Sequence, residues 1–174
     1  YFYLEKTFYL LIIINFIFFF MKTAYRVIGF LALNFFILYL GSFLSQNGPN
    51  TDWYQTLNKA PWTPKGWVFG AAWTIIMVCF SFYFAYIFNK KERQRKGVIL
   101  FILQAILNVI WNPLFFYLQH VSLALIDIIL LFILISIIFL TFLNELRFKS
   151  ILLVPYILWL LIAISLNLYI WLFN

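Results

Sequence analysis

Trp53, Trp62, Trp67 and Trp73 fall within twenty-one residues, threaded through Lys59, Pro61, Pro64, Lys65, Gly66 and Gly70. An indole offers a large flat apolar face and one N–H donor. A loop so furnished, leading into an apolar segment, reads as a lid over something flat and apolar. Further along, Gln104, Asn108 and Asn112 recur at i, i+4 and i+8, which stacks three amides on one helix face beside Trp111 and Phe115. Trp159, Ala163 and Asn167 repeat that spacing, with a small residue leaving a notch between two large ones. Trp73, Trp159 and Asn112 together would supply stacking surfaces and a few donors inside apolar walls, the usual make-up of a small-molecule pocket. Two plainer roles compete. The amides could be hydrogen-bond glue between helices, and Trp53, Tyr54, Trp62 and Trp67 could form an aromatic belt at a membrane surface.

Other chemistries lack candidates. Cys79 and His120 are each the sole residue of their type, so neither a disulfide framework nor a thiolate metal site can be built within one chain. No Gly-rich phosphate loop, metal-ligand spacing or nucleophile–base pair occurs. Asp127 is the one acid deep within an apolar run. It reads as a carboxyl fixed by hydrogen bonds from other helices, with a proton relay as the sharper alternative. No cofactor is required by any of these residues.

The elements that must position these groups are apolar. Of 174 residues 66% are hydrophobic, against about half in an ordinary globular domain. A soluble chain of this size has too little interior for the excess, so the lipid bilayer is the expected solvent. Apolar segments of membrane-spanning length run about 24–44, 66–88, 97–118, 121–143 and 151–172. Gln46–Asn50 should break the chain after the first. Pro61 and Pro64 precede the second, where a missing N–H costs little. Pro113 should kink the third or free a carbonyl. The expectation is an all-α five-transmembrane-helix bundle over 23–174. An extra hydrophobic N-terminal segment, 1–22, reads as a loose helix or as sequence ahead of a start at Met21, with a signal-like or sixth segment as the alternative.

Net charge +7 would suggest nucleic acid in a soluble protein. Here the cations flank the apolar runs instead, so no nucleic-acid partner is expected. Lys22, Arg26, Lys90, Lys91, Arg93, Arg95, Lys96, Arg147 and Lys149 share one side of a five-span chain, and Lys59 and Lys65 the other. That asymmetry predicts the N-terminal flank and loops two and four on the cytoplasmic side, with the Trp-rich loop opposite.

In order and spacing, several runs resemble the TspO/MBR family of tryptophan-rich sensory proteins. They are Trp53-Tyr54, Leu57-Asn58-Lys59 and Trp62-Thr63-Pro64; Trp67 and Gly70 to Thr74; Gln104, Asn108 and Trp111-Asn112-Pro113-Leu114-Phe115-Phe116; Asp127; and Pro155-Tyr156, Trp159 and Leu166-Asn167. The resemblance covers about 25–174. It implies a five-helix membrane bundle, commonly a homodimer, with a pocket beneath the first loop. It also implies binding of porphyrins such as protoporphyrin IX, acting as sensor, carrier or scavenger, and sterols in some members. Some bacterial members degrade protoporphyrin in light through two tryptophans, which match Trp73 and Trp159. Asn112 matches the family's ligand-contacting asparagine and Ala163 its small pocket residue. Tyr54, Pro64 and Phe115 match wall positions, and Asn108 joins this ligand set through its stripe. A sterol or small-molecule transporter, or a scaffold, is the further alternative. The basic residue that the sterol-recognition pattern needs after Tyr169 is missing.

Overall fold

The structure, a computed structural model, describes residues 2–174, with the side chains of 13, 14 and 16–174. The reading of 1–22 as an extension therefore falls largely on side chains outside the described residues.

Helix α1 runs Phe2–Leu44. At 1.5 Å per residue it is about 65 Å long, roughly twice a hydrocarbon core. Its second half enters the bundle core: Val27, Phe30, Asn34, Ile37 and Gly41 are buried at helical spacing, whereas 13, 14 and 16–20 are exposed. The helix stops where Gln46, Asn47 and Gly48 successively take positive φ, the break expected of that polar run.

A short helix α2, Asp52–Thr56, follows, with the Thr51 side chain accepting from the Tyr54 amide at its start. Helix α3 is Gly66–Ile87. Helix α4 is Lys91–Asn112, six residues earlier than the apolar pattern predicts. The basic run Lys91–Lys96 is helical too, and hydropathy marks only the part that lipid surrounds. At Pro113 the α-helical ladder gives way to a π turn, Pro113–Tyr117, whose Pro113 carbonyl accepts from Leu118 N at 2.8 Å. Proline has no N–H to continue the ladder, and wide turns of this kind often mark functional positions.

Helix α5, Val121–Leu146, and helix α6, Val154–Phe173, flank a 3-10 segment, Arg147–Leu153. The bend begins at Arg147, with φ 51°. Asn167 Nδ2 near the end of α6 donates to the Val121 carbonyl at the start of α5, so the two helices are antiparallel. The 53-residue apolar stretch Val121–Phe173 thus supplies two spans. With α1, α3 and α4 that makes five membrane-length helices among the described residues.

The interior is apolar with a few polar side chains set in it, and large aliphatic side chains are left on the surface. Asn34, Ser81, Gln104, Asn108, Asp127 and Asn167 are buried, whereas Ile75, Ile99, Ile102, Ile126, Leu140 and Leu161 are exposed. Bare aliphatic surface around a polar-seeded interior is stable in hydrocarbon, where unpaired polar groups must turn inward. The centre is aromatic: Phe80, Phe84 and Phe101 pack at centroid distances of 4.6–6.0 Å, and Phe30 of α1 closes on Phe84 and Phe101 at 5.7 and 5.2 Å.

Candidate functional site

The amide stripe of α4 points at one atom of α6. Gln104 Nε2 and Asn108 Nδ2 both donate to the Tyr156 hydroxyl, at 2.9 and 2.8 Å. All three side chains are buried. Tyr156 sits just after Pro155 in the first turn of α6, so its ring enters the bundle where that helix begins. Trp73 of α3 packs edge-on against this ring, centroids 5.8 Å apart, and Phe80, two turns further along α3, does the same at 5.5 Å. Three helices thus meet at one phenol.

Trp159, one turn along from Tyr156, is 7% exposed and faces inward. Its indole lies edge-on to Phe69 at 5.3 Å. Phe69 and Trp73 are one turn apart on α3, so both predicted tryptophans line the α3–α6 seam, each against a ring of the other helix. Trp73 and Ala163 are half-buried.

Asn112 is the last residue before the π turn. Its amide donates to the Asn108 carbonyl at 3.3 Å and lies under Gly41 of α1. A Cβ at Gly41 would stand 2.6 Å from Asn112 Nδ2. The missing side chain lets α1 approach this end of α4.

The other predicted wall residues form a neighbouring cluster. Phe115, buried in the π turn, stacks on Trp111 at 5.0 Å and meets Trp53 and Tyr54 edge-on at 5.6 and 6.2 Å. Trp111 Nε1 donates to Asn167 Oδ1 at 3.2 Å. Asn167, which also donates to the Val121 carbonyl, therefore bridges α4 and α5. Burial pushes the Tyr54 phenol above its ordinary value, and Lys59 Nζ stands 4.6 Å over its ring. Pro64 is half-buried ahead of α3.

Loop one is tied down at several points. Trp62 Nε1 donates to Ser165 Oγ at 3.2 Å, and its ring meets Tyr169 at 5.5 Å. Asn58 and Asn174 exchange two hydrogen bonds, at 2.8 and 3.2 Å. The loop tryptophans do separate jobs: Trp53 packs inward on Phe115, Trp62 latches to α6, and Trp67 is 72% exposed. Lys65 is exposed.

One expectation is corrected. Asp127 is buried, but its Oδ2 has no hydrogen-bond partner among the described residues, so other helices do not tie that oxygen in place. Gln104 Oε1 is likewise unpartnered. The sequence pattern marks Trp111 only as a border of the amide stripe and assigns no role to Tyr156 or Gly41. Tyr156 was findable: two stacked amides need a shared acceptor, and it lies one helical turn from Trp159. Gly41 leaves no such trace, because its role is the absence of atoms.

A family model described as the TspO/MBR family matches residues 30–172. The chain is 37% identical over 122 residues to a tryptophan-rich protein TspO of Chlorobaculum tepidum, covering 68% of this chain and 77% of the relative. A tryptophan-rich protein TspO of Archaeoglobus fulgidus is 33% identical over 156 residues, covering 88% and 97%. The human translocator protein is 28% identical over 140 residues, covering 76% and 82%.

Proposed function

This chain belongs to the TspO/MBR family, and from that premise we propose that it is an integral membrane protein that binds a tetrapyrrole such as protoporphyrin IX at the α3–α6 seam beneath loop one. The observation that carries the reading is the convergence on Tyr156. Two amides from α4 donate to its buried hydroxyl and an indole from α3 packs on its ring, with the Trp159 indole one turn away. A planar apolar guest needs flat faces to replace the ring contacts it displaces, and donors for its few polar edges. Trp73 and Trp159 supply the faces, and Asn108 and Asn112 supply the polar contacts. Tyr54, Pro64, Phe115 and Ala163 form the walls, and Lys59 or Lys65 meets the propionates. Entry requires loop one to release Trp62 from Ser165. Sensing, carrying or scavenging all use the same bound state.

Titration of the purified chain with protoporphyrin IX, followed by the Soret band, tests this. Trp73→Ala is expected to weaken binding at least about tenfold, or about 1.4 kcal/mol. Trp159→Ala should act in the same direction. Unchanged affinity in both variants rejects the site.

A second reading is favoured by the Trp73–Tyr156 contact, which places two oxidisable rings side by side. In this reading the bound porphyrin is degraded with light and oxygen. Illumination of the complex then gives a bilin-like product that Trp73→Phe abolishes. Bleaching at the same rate in the variant rejects it.

The basic end of the bundle is cytoplasmic in this proposal, because its nine cations face two at the other end. A homodimer, as the family resemblance implies, is part of this proposal.

A further inference from the structure

The basic end of the bundle contains a shaped hollow that tetrapyrrole binding does not use. It has a volume of about 290 Å³ and is lined by residues of α1, α3, α4, α5 and the links between them, among them Phe19, Tyr86, Lys90, Arg93, Glu145 and Lys149. Its walls are held by specific contacts. Arg93 at the start of α4 pairs with Glu145 at the end of α5. Lys149 Nζ sits 4.1 Å over the Tyr86 ring. Arg26 of α1 donates to Asn89 Oδ1 between α3 and α4.

Charge in the hollow is unbalanced. Its one carboxylate, Glu145, is engaged by Arg93. Lys90 and Lys149 then have no carboxylate partner among the described residues. Lys149 is fixed by its ring contact and Lys90 is exposed at the rim. Two ammoniums beside a structured Arg–Glu pair, at the level where apolar helices end in charged turns, complement a phosphate at the membrane surface. Basic pockets between membrane helices recognise lipid headgroups on this physical basis. The volume lies just under the roughly 300–1,000 Å³ of drug-sized ligand sites, which suits a headgroup. An anionic headgroup satisfies the excess cations, whereas a zwitterionic one brings its own cation into the same space.

We infer that this hollow binds the phosphate headgroup of an anionic phospholipid, and that the lipid bridges α1, the α3–α4 turn and the α5–α6 link. The inference is independent of the tetrapyrrole reading, since the site lies at the opposite end of the bundle from loop one.

The experiment uses the full chain in a non-ionic detergent. Binding of dioctanoyl phosphatidylglycerol, dioctanoyl phosphatidylcholine and inorganic phosphate is measured by native mass spectrometry. Phosphatidylglycerol is expected to bind at least about tenfold tighter than phosphatidylcholine, and more weakly as salt rises. Lys90→Gln with Lys149→Gln should lower its affinity on the order of tenfold or more, at several-fold per lysine. Lys90→Arg with Lys149→Arg should retain it, and Lys59→Gln with Lys65→Gln at the far end should leave it unchanged. Equal affinity for the two lipids overturns the proposal, as does full binding by the double Gln variant. Displacement of the lipid by inorganic phosphate at matching concentration also overturns it, in favour of a free-anion site. If the Gln variant fails to fold, the lipid pair, the phosphate competition and the Arg variant still decide.

Discussion

Tyr156 ties three helices together at one side chain. Its hydroxyl is the shared acceptor for two amides that would otherwise be unpaired in hydrocarbon. Hydrogen bonds between membrane helices contribute about 0.6–2 kcal/mol each. Tyr156→Phe keeps the ring that Trp73 packs on and removes both bonds, so a loss of about 1–3 kcal/mol is expected in detergent-titrated unfolding. No loss would mean that the amides find other acceptors. Asp127 behaves oppositely. A buried carboxyl with an unpartnered oxygen is a cost to folding. Asp127→Asn should therefore leave stability unchanged or raise it by about 1–2 kcal/mol. A large loss would reveal a partner for the carboxylate, such as a bound cation or water.

Helix α1 seats against α4 through an absence, and loop one is held by bonds to α6. Gly41→Ala would push a methyl into Asn112, breaking its bond to the Asn108 carbonyl or shifting α1. The expected cost is about 1–3 kcal/mol, typical of overpacking. Adding Asn112→Ala should recover much of it, and such non-additivity in a double-mutant cycle is the signature of direct contact. If the two costs simply add, Gly41 matters for another reason. At the loop, Asn174→Ala removes both links to Asn58. Amide hydrogen exchange across 58–64 should then speed up several-fold, with α3 and α6 unaffected. Equal rates would show that Trp62 alone holds the lid.

For the whole molecule, lipid replaces water as the solvent of the outer surface, and the two bundle ends differ in charge. Arg26, Lys90, Arg93 and Lys149 are gathered at one end by contacts among α1, α3, α4, α5 and the α5–α6 link. In a Cys79→Ala background, a cysteine at Lys91 should react with an impermeant maleimide only from the cytoplasmic face, and one at Lys65 only from the other. Labelling of both from the same face would remove the five-span topology. A cysteine at Ile99 should cross-link between copies if α4 forms the dimer seam.

By itself the sequence determined the solvent, the span count and the membership in a family. Each rests on a pattern that survives without coordinates: apolar length, charge asymmetry, and residues in fixed order. It also showed that Gln104, Asn108 and Asn112 share a face, because helical period is local. Tertiary structure alone decided what that face meets. The choice of Tyr156 as acceptor, Phe69 as the ring against Trp159 and Gly41 as the gap over Asn112 depends on how separate helices rotate and cross. Rotation is set by packing summed over a whole interface, and no stretch of one helix encodes it.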